Sequence, residues 1–473
     1  MMTAHPNNFS AAARSAIHDQ QLGAAVANAT NTAASKRRLA MFAYGDEHGE
    51  TMRQQAAQIR RRALARLPEL LEQAETNMQA NGIQVSWAAN GQEVREQVIA
   101  IARQHQIKRI AKSKSMVSEE ISLNHVLEAE GFDVLETDLG EYIIQLAGEM
   151  PSHIVTPVIH KSKAMIRDLF MQKLNMPPTD DATEMTRFAR QILRQGFLEA
   201  DMGISGGNFI IAETGTLCLV TNEGNGRMVT SLPPVHVALV GIEKVVETLD
   251  DYITLTQVLP RSATGQPMSV YTHMINGPRK SDEEGGPSHL YVILVDNGRS
   301  EIYNSKYVEA LNCIRCGACI NVCPVYEAVG GHTYGWVYPG PIGAVITPLL
   351  TGLENAKPLP YASSLCGACK QVCPVDIDLP RLLLDLRHDL VEQKKQSIFW
   401  RAGMRGWAFV SRTPFLFGMA RLGGRWGSKL LPKRRKLPIG PLGGWTQSRE
   451  IPPFAPESFH QWWAKQHKGT QDD

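Results

Sequence analysis

The chain has 473 residues, 43% of them apolar, which is length for about three domains and ample material for globular cores. Its net charge of +2 conceals an asymmetry: residues 381–473 carry 17 Lys and Arg against 7 Asp and Glu, leaving 32 against 40 in the rest. Seven of the eight cysteines fall in two short runs, which leaves no set for structural disulfides and points to a reducing, cytoplasmic compartment.

The N-terminus has neither a basic start nor an apolar core, so no secretory signal is expected. The longest uncharged stretch, Ala328 to Leu353, is too rich in glycine and proline for a lipid-facing helix, so no transmembrane segment is expected either. Residues 1–50 are small and polar and read as a loosely ordered arm with helical pieces. From Glu50 to Ala80, Met52, Ala56, Ile59, Ala63, Leu67 and Leu70 recur at helical spacing, with Arg60 to Arg62 expected mostly on the opposite face. Residues 1–80 form a helical arm on this reading.

Residues 81–300 alternate helices with short apolar strands, the pattern of an α/β domain with a largely parallel sheet. Strands are predicted at Ile107–Ala111, Phe132–Glu136, Phe209–Ala212, Leu217–Thr221, Val235–Gly241 and Leu290–Val295, and a helix at Ser118–Glu130. Lys112-Ser113-Lys114-Ser115 falls between a strand end and a helix start, where open α/β sheets bind anions, so Lys112 and Lys114 are candidate ligands for a carboxylate or phosphate. A capped, solvated turn is the plainer reading. A second candidate loop runs from Asp201 through Gly203, Gly206, Gly207 and Asn208 to Glu213 and Gly215. Its glycines allow close approach to a ligand, and Glu213 is a candidate acid, base or nucleophile. Gly224-Asn225-Gly226 reads as a hairpin turn, and no nucleotide motif enters a helix anywhere, so an internal flavin or nicotinamide site is not supported. Cys218 is expected to be a buried strand residue.

Residues 301–385 hold the cysteine runs: Cys313-Ile-Arg-Cys316-Gly-Ala-Cys319-Ile-Asn-Val-Cys323-Pro324, then Cys366-Gly-Ala-Cys369-Lys-Gln-Val-Cys373-Pro374. Three cysteines two residues apart, and a fourth before proline, is the spacing of two-cluster ferredoxins; zinc sites pair their ligands differently. In that pattern the cysteine before proline serves the other cluster. One cluster takes Cys313, Cys316, Cys319 and Cys373, and the other takes Cys323, Cys366 and Cys369. Ser363 stands where a fourth cysteine would. Either Ser363 or water completes a four-iron cube, or the site holds a three-iron cluster with Ser363 an ordinary loop serine. The cofactors expected are thus [4Fe-4S] at the first site and [4Fe-4S] or [3Fe-4S] at the second. The intervening His332, Tyr334, Trp336 and Tyr338 read as structure and cluster shielding.

Beyond an amphipathic helix at Arg381–Gln396, residues 386–473 are basic and carry six of the eight tryptophans. Arg401, Arg405 and Arg412 interleave with Trp400, Trp407, Phe409 and Phe415. A small helical region packing these aromatics on the body is the favoured reading, and peripheral membrane contact is the alternative. No nucleic-acid module accompanies them, so nucleic acid is not expected as a partner.

Taken together the chain resembles the lactate utilization protein B family. The resemblance rests on Lys112-Ser-Lys-Ser-Met, Glu136-Thr-Asp138-Leu-Gly140, Pro151-Ser-His-Ile-Val, Ala212-Glu-Thr-Gly-Thr, both cysteine runs, Tyr334-Gly-Trp-Val-Tyr-Pro-Gly-Pro-Ile-Gly, Gly444-Trp-Thr and Ser458-Phe-His-Gln-Trp-Trp. It implies a NagB/RpiA/CoA-transferase-like α/β domain (a LUD domain), a helical ferredoxin domain and a small C-terminal helical region. It also implies an electron-transfer role in a complex oxidising L-lactate to pyruvate, alongside another cysteine-rich iron–sulfur subunit and a second LUD-type subunit. The residues by themselves support a relay with no catalytic residue of its own. The rival reading makes the α/β domain an enzyme on an anionic or acyl substrate, with the clusters as its relay.

Overall fold

The computed structural model of the protein describes residues 5–393, 398–429, 455 and 457–467. Residues 1–392 form one compact unit and residues 393–473 another.

The first unit begins with four helices: α1 (Phe9–Ala16), α2 (Gln20–Met41), α3 (Asp46–Ala65) and α4 (Leu67–Ala80). The arm is thus more regular than its composition suggests. Asp19 caps α2 by accepting from the Leu22 N–H at 2.9 Å. The apolar stripe predicted from Met52 to Leu70 is buried throughout, but it spans two helices, because Pro68 offers no N–H to continue α3. Arg60 departs from expectation. It lies on the buried face of α3, and its guanidinium donates to the carbonyls of Glu243, Val245, Leu311 and Asn312.

Ten strands follow: β1 (Gln84–Ala88), β2 (Arg109–Lys112), β3 (Asp133–Glu136), β4 (Met202–Ser205), β5 (Phe209–Ile211), β6 (Thr216–Thr221), β7 (Val235–Gly241), β8 (Val245–Val246), β9 (Tyr271–Ile275) and β10 (His289–Val295). Six form a wholly parallel sheet in the order β1-β10-β7-β4-β2-β3. β7 is buried along its whole length and β10 after its first residue, as expected of strands covered on both faces. The other four make a second sheet, β8-β5-β6-β9, with β6 antiparallel to both neighbours. Cys218 on β6 is fully buried opposite Phe209, and burial pushes its thiol up to about 12. This is the α/β class expected, with a second sheet added.

Three local expectations fail. The predicted helix 118–130 is two helices, Met116–Glu120 and Leu123–Ala129, broken at Ser122 in a left-handed conformation. Gly224-Asn225-Gly226 starts the helix Asn225–Ser231 instead of turning a hairpin, because β6 and β7 belong to different sheets. Gly203 sits within β4, where an added Cβ would fall 1.9 Å from the Val229 carbonyl. Its lack of a side chain admits that helix, not a ligand.

The rest of the unit is helical: Ala318–Asn321, Pro324–Val329, Gly340–Thr351, Ala368–Val372 and Leu379–Glu392. In the second unit, helices Ile398–Arg412, Pro414–Lys429 and Phe459–Gln466 are present, the last with a Ser458–Gln461 capping box. Trp407, Phe409 and Phe415 are exposed within this unit. Gly444-Trp-Thr lies outside the described residues. Among the described residues no helix is long and apolar enough to cross a membrane.

The first unit is knit by a buried ion network. Arg299 bonds Glu120 and Glu243, each at 2.7 Å, with all three side chains at most 1% exposed. Arg299→Met strands two buried carboxylates and should lower unfolding stability by about 3–5 kcal/mol, measured as a fall in urea midpoint on protein purified without oxygen.

Candidate functional site

The two cysteine runs fold alike. In the first, Arg315 (φ 59°) and Gly317 (φ 72°) are left-handed and lead into the helix Ala318–Asn321. In the second, Leu365 (φ 57°) and Gly367 (φ 84°) do the same before Ala368–Val372. Gly317 also abuts His153, whose ring an added Cβ would approach to 3.2 Å, whereas Gly367 is needed for its φ alone. The Arg315 N–H donates to Cys313 Sγ at 3.4 Å, and the Leu365 N–H donates to Ser363 Oγ at 3.1 Å. The Ser363 hydroxyl therefore holds the place in its loop that the Cys313 thiol holds in the other.

Cys313, Cys316, Cys319 and Cys373 frame one small space together with Ile154, Ile342 and Ile377. Burial pushes Cys316 up to about 12, with the neighbouring Cys373 and Cys313 adding to it. Cys373 is pushed up to about 11, by burial first and also by Cys313. Cys319 is driven well above its ordinary range by burial and then by Cys313, Cys316 and Cys373. The remaining three form their own group. Cys369 is pushed up to about 12 by burial, Cys323 and Cys366, and Cys323 is raised by burial and by Cys366. Clustered thiols that burial and mutual repulsion keep from ionising lose their protons only to positive charge placed among them, so both sets, Cys366 being the exposed member of the second, suit a metal centre.

Cations surround the first set. Arg37 donates to the Val372 carbonyl at 2.7 Å, Arg53 Nη2 to Cys373 O at 3.0 Å, and Lys244 Nζ to Cys313 O at 3.3 Å. Arg315 stacks 4.7 Å over the Tyr338 ring, with Nη2 3.6 Å from Glu243. Burial would lower Arg315, but Tyr338, Cys313 and Glu243 hold it well above its ordinary value. Burial likewise lowers Lys244 to about 8 and Arg60 to about 10, against the pull of Glu243. Around Cys323 the main influences besides burial are the backbone N–H groups of Val325 and Tyr326, Cys366 and the Tyr334 hydroxyl.

The segment 151–160 docks the sheet domain on the first run. His153 Nδ1 accepts from the Val155 and Thr156 N–H groups at 3.0 Å, and Nε2 donates to Asn321 Oδ1 at 3.2 Å; burial holds the ring neutral, at about 3. The Tyr326 hydroxyl donates to the Ser152 carbonyl at 2.8 Å. His332 is bonded to the Met150 carbonyl at 2.6 Å, in keeping with a structural histidine. Its ring nitrogen lies within 4.8 Å of donor atoms of His160 and Glu149, which bond one another at 2.7 Å.

A separate cavity of about 390 Å³ lies where β2, β4 and β7 end. Ser113, Lys114 and Ser115 reach it from β2; Gly206, Gly207 and Asn208 from β4; Glu243 and Lys244 from β7. Asp138, Glu223, Arg299, Arg315 and Tyr338 are among its other polar lining residues. Of the residues singled out in the sequence, Lys114 and Gly206 to Asn208 meet here. Lys112 does not: it is fully buried at the end of β2, bonded to Glu119 at 2.7 Å and to Glu136, and cannot serve an anion. Glu213 is also elsewhere, exposed in the β5–β6 turn and accepting from the Leu249 N–H at 3.1 Å. Sequence reasoning missed Asp138, Glu223, Lys244 and Arg315. Strand-end position marks Lys244 after β7, and an N-cap pattern marks Asp138, which accepts from the Gly140 N–H at 3.0 Å.

Three family descriptions match successive parts of the chain: a LUD domain over residues 71–295, a 4Fe-4S dicluster domain over 309–377, and lactate utilisation protein B, C-terminal, over 386–468. Lactate utilization protein B of Bacillus cytotoxicus is 44% identical over 436 residues, 90% of each chain. Its Bacillus cereus and Bacillus thuringiensis counterparts are 44% and 43% identical over the same span. Among solved structures, a DUF162 family protein from Deinococcus radiodurans is 15% identical, covering 48% of this chain and 98% of its own at a TM-score of 0.27.

Beside the cavity, Glu141 is 4% exposed, with Oε1 3.8 Å from Lys114 Nζ and no hydrogen-bond partner there among the described residues. Burial lifts its carboxyl from 4.5 to about 8, against the pull of Lys114. The folded state thus keeps a proton that the unfolded chain loses, and this contribution to stability declines as pH rises from 4.5 through about 8. Glu141→Gln should remove that decline, which amounts to at most about 1.4 kcal/mol per pH unit, in paired denaturation curves between pH 6 and 8.5.

Proposed function

The chain belongs to the lactate utilization protein B family, and from that we propose that it is the iron–sulfur electron-transfer subunit of a complex oxidising L-lactate to pyruvate. The observation that carries this reading is the division of the seven cysteines into a set of four and a set of three, each with members drawn from both runs. Cys313, Cys316, Cys319 and Cys373 would hold a [4Fe-4S] cluster. Cys323, Cys366 and Cys369 would hold a second, with Ser363 as its fourth ligand, on the strength of the backbone bond Ser363 shares in kind with Cys313. When bound, such clusters supply one-electron transfer, and two of them accommodate the electron pair that a hydroxy acid gives up.

The chain's own residues set the direction. Arg37, Arg53, Arg60, Lys244 and Arg315 gather positive charge around the first set, while the second has one guanidinium, Arg387, donating to the Ser363 carbonyl at 3.2 Å, with backbone N–H groups and a tyrosine hydroxyl. Added negative charge is better compensated at the first, so it is the easier of the two to reduce. The partners would be another cysteine-rich iron–sulfur subunit and a second LUD-type subunit, in the cytoplasm. Exposed aromatics and arginines in the C-terminal unit are compatible with peripheral membrane contact. For domain organisation we take 1–80, 81–300, 301–385 and 386–473.

Protein purified without oxygen should contain about eight irons per chain. Cys313→Ser and Cys366→Ser should each remove a different reduced-state paramagnetic resonance signal and bring lactate-dependent reduction of the assembled complex to background. Undiminished reduction with either signal gone would rule the relay out. Ser363→Ala should lower the count to about seven, with a signal appearing in the oxidised state; an unchanged count would remove Ser363 from the ligand set.

A further inference from the structure

The cavity at the carboxyl end of the sheet, about 390 Å³, has the size and position of a ligand site. β2 pairs with β3 on one side and β4 on the other, so the chain reverses its direction of travel across the sheet there. Crevices beyond the carboxyl ends of strands at such a point are where open α/β sheets take ligands. Its far wall is unusual: Ile154, Ile314 and Arg315 line both this cavity and the small space framed by Cys313, Cys316, Cys319 and Cys373. A single layer of side chains separates the two.

The charges on the cavity wall are unevenly committed. Each nitrogen of Arg299 already has a partner, in Glu243, the Asp296 carbonyl and Glu120. The same is not true of Arg315. Its side chain is 10% exposed, its guanidinium also engages the Cys313 thiol, and Nη1, itself buried, has no hydrogen-bond partner among the described residues. Lys244 Nζ makes one bond, to Cys313 O, and stands 3.7 Å from Glu243. Arg315 and Lys244 thus offer donors to an anion. Asp138 uses Oδ1 to cap its helix and Glu223 uses Oε2 to accept from the Leu139 N–H, which leaves each a second oxygen to accept from a ligand's hydroxyl.

We propose that this cavity binds a small hydroxycarboxylate, its carboxylate on Arg315 and Lys244 at the wall shared with the first cysteine set, and its hydroxyl on Asp138 or Glu223. The choice of a hydroxy acid over other carboxylates rests on the electron-transfer reading above; the site itself does not. The bound anion and the first cluster would share one guanidinium, so that filling the cavity alters the cluster's surroundings.

The test uses full-length, cluster-loaded protein under anaerobic conditions, titrated with L-lactate by calorimetry while the reduced-state resonance signals are recorded. Acetate and chloride serve as ionic controls. Saturable binding of L-lactate, with a change confined to the signal lost in Cys313→Ser, is expected. Arg315→Gln should weaken binding roughly tenfold or more, the loss of a charge-assisted hydrogen bond. Because Arg315 lies inside a cysteine run, a second variant is needed. Ser269→Trp adds bulk from a cavity wall outside the cysteine runs and should abolish binding with iron content and ligand-free signals intact. No saturable binding, an equal response to acetate and chloride, or full binding by Ser269→Trp would overturn the proposal. Lactate reducing the assembled complex without binding to this chain would overturn it too, yet leave the relay standing. Binding here without reduction of either cluster in the complex would uphold the site and sink the relay.

Discussion

Two carboxylates with no access to water govern the arrangement of the first unit. Glu120 follows β2 and Glu243 follows β7, and their side chains are at most 1% exposed. Left alone, either would cost several kcal/mol in desolvation. Arg299, just past β10, bonds both, the Tyr338 hydroxyl donates to Glu120, and Arg315 and Lys244 stand 3.6–3.7 Å from the remaining oxygen of Glu243. Burial would raise Glu243, but Arg299, Lys244 and Arg315 hold it down at about 2. Two of these partners, Arg315 and Tyr338, come from the cysteine-bearing region. Satisfying the sheet's charges therefore seats the first cysteine run at the sheet's carboxyl edge.

The N-terminal helices are part of the same construction. Arg60 is fully buried with no carboxylate hydrogen-bonded to it, and it is held by four carbonyl oxygens, two after β7 and two just before Cys313. Each such bond to a charged donor is worth about 1.5–3 kcal/mol where water is absent, which offsets the desolvation of the guanidinium. Arg37 and Arg53 repeat the device at Val372 and Cys373. The arm thus fixes both ends of the first cysteine set and supplies its positive surroundings at once.

Those surroundings make the two cysteine sets unequal although their loops are built alike. The difference lies at matching positions: Arg315 in the first loop, Leu365 in the second, each left-handed and each donating its N–H to the side chain two residues earlier. One places a guanidinium between the thiols and the cavity; the other places an apolar side chain. A repeated backbone with exchanged side chains is an economical way to give two neighbouring cysteine sets different electrostatics.

What could be read from the sequence alone was encoded over short range. The cysteine spacing and the buried runs of β7 and β10 are properties of a few consecutive residues, and the apolar stripe from Met52 to Leu70 is a property of residues three or four apart. Local pattern misled where a distant segment decides the outcome. Arg60 looks like a solvated arginine until carbonyls 183–252 residues away converge on it. Lys112 looks like a loop cation until Glu119 and Glu136 close over it, and Asn225-Gly226 looks like a hairpin until the next strand joins the other sheet. The cavity was only half legible for the same reason: Lys114 and Gly206 to Asn208 sit at strand ends, but Arg315 reaches it only because the buried carboxylates draw the cysteine region there. Backbone conformation is set by neighbours in the chain. Charge compensation is set by neighbours in space, and only the tertiary structure supplies them.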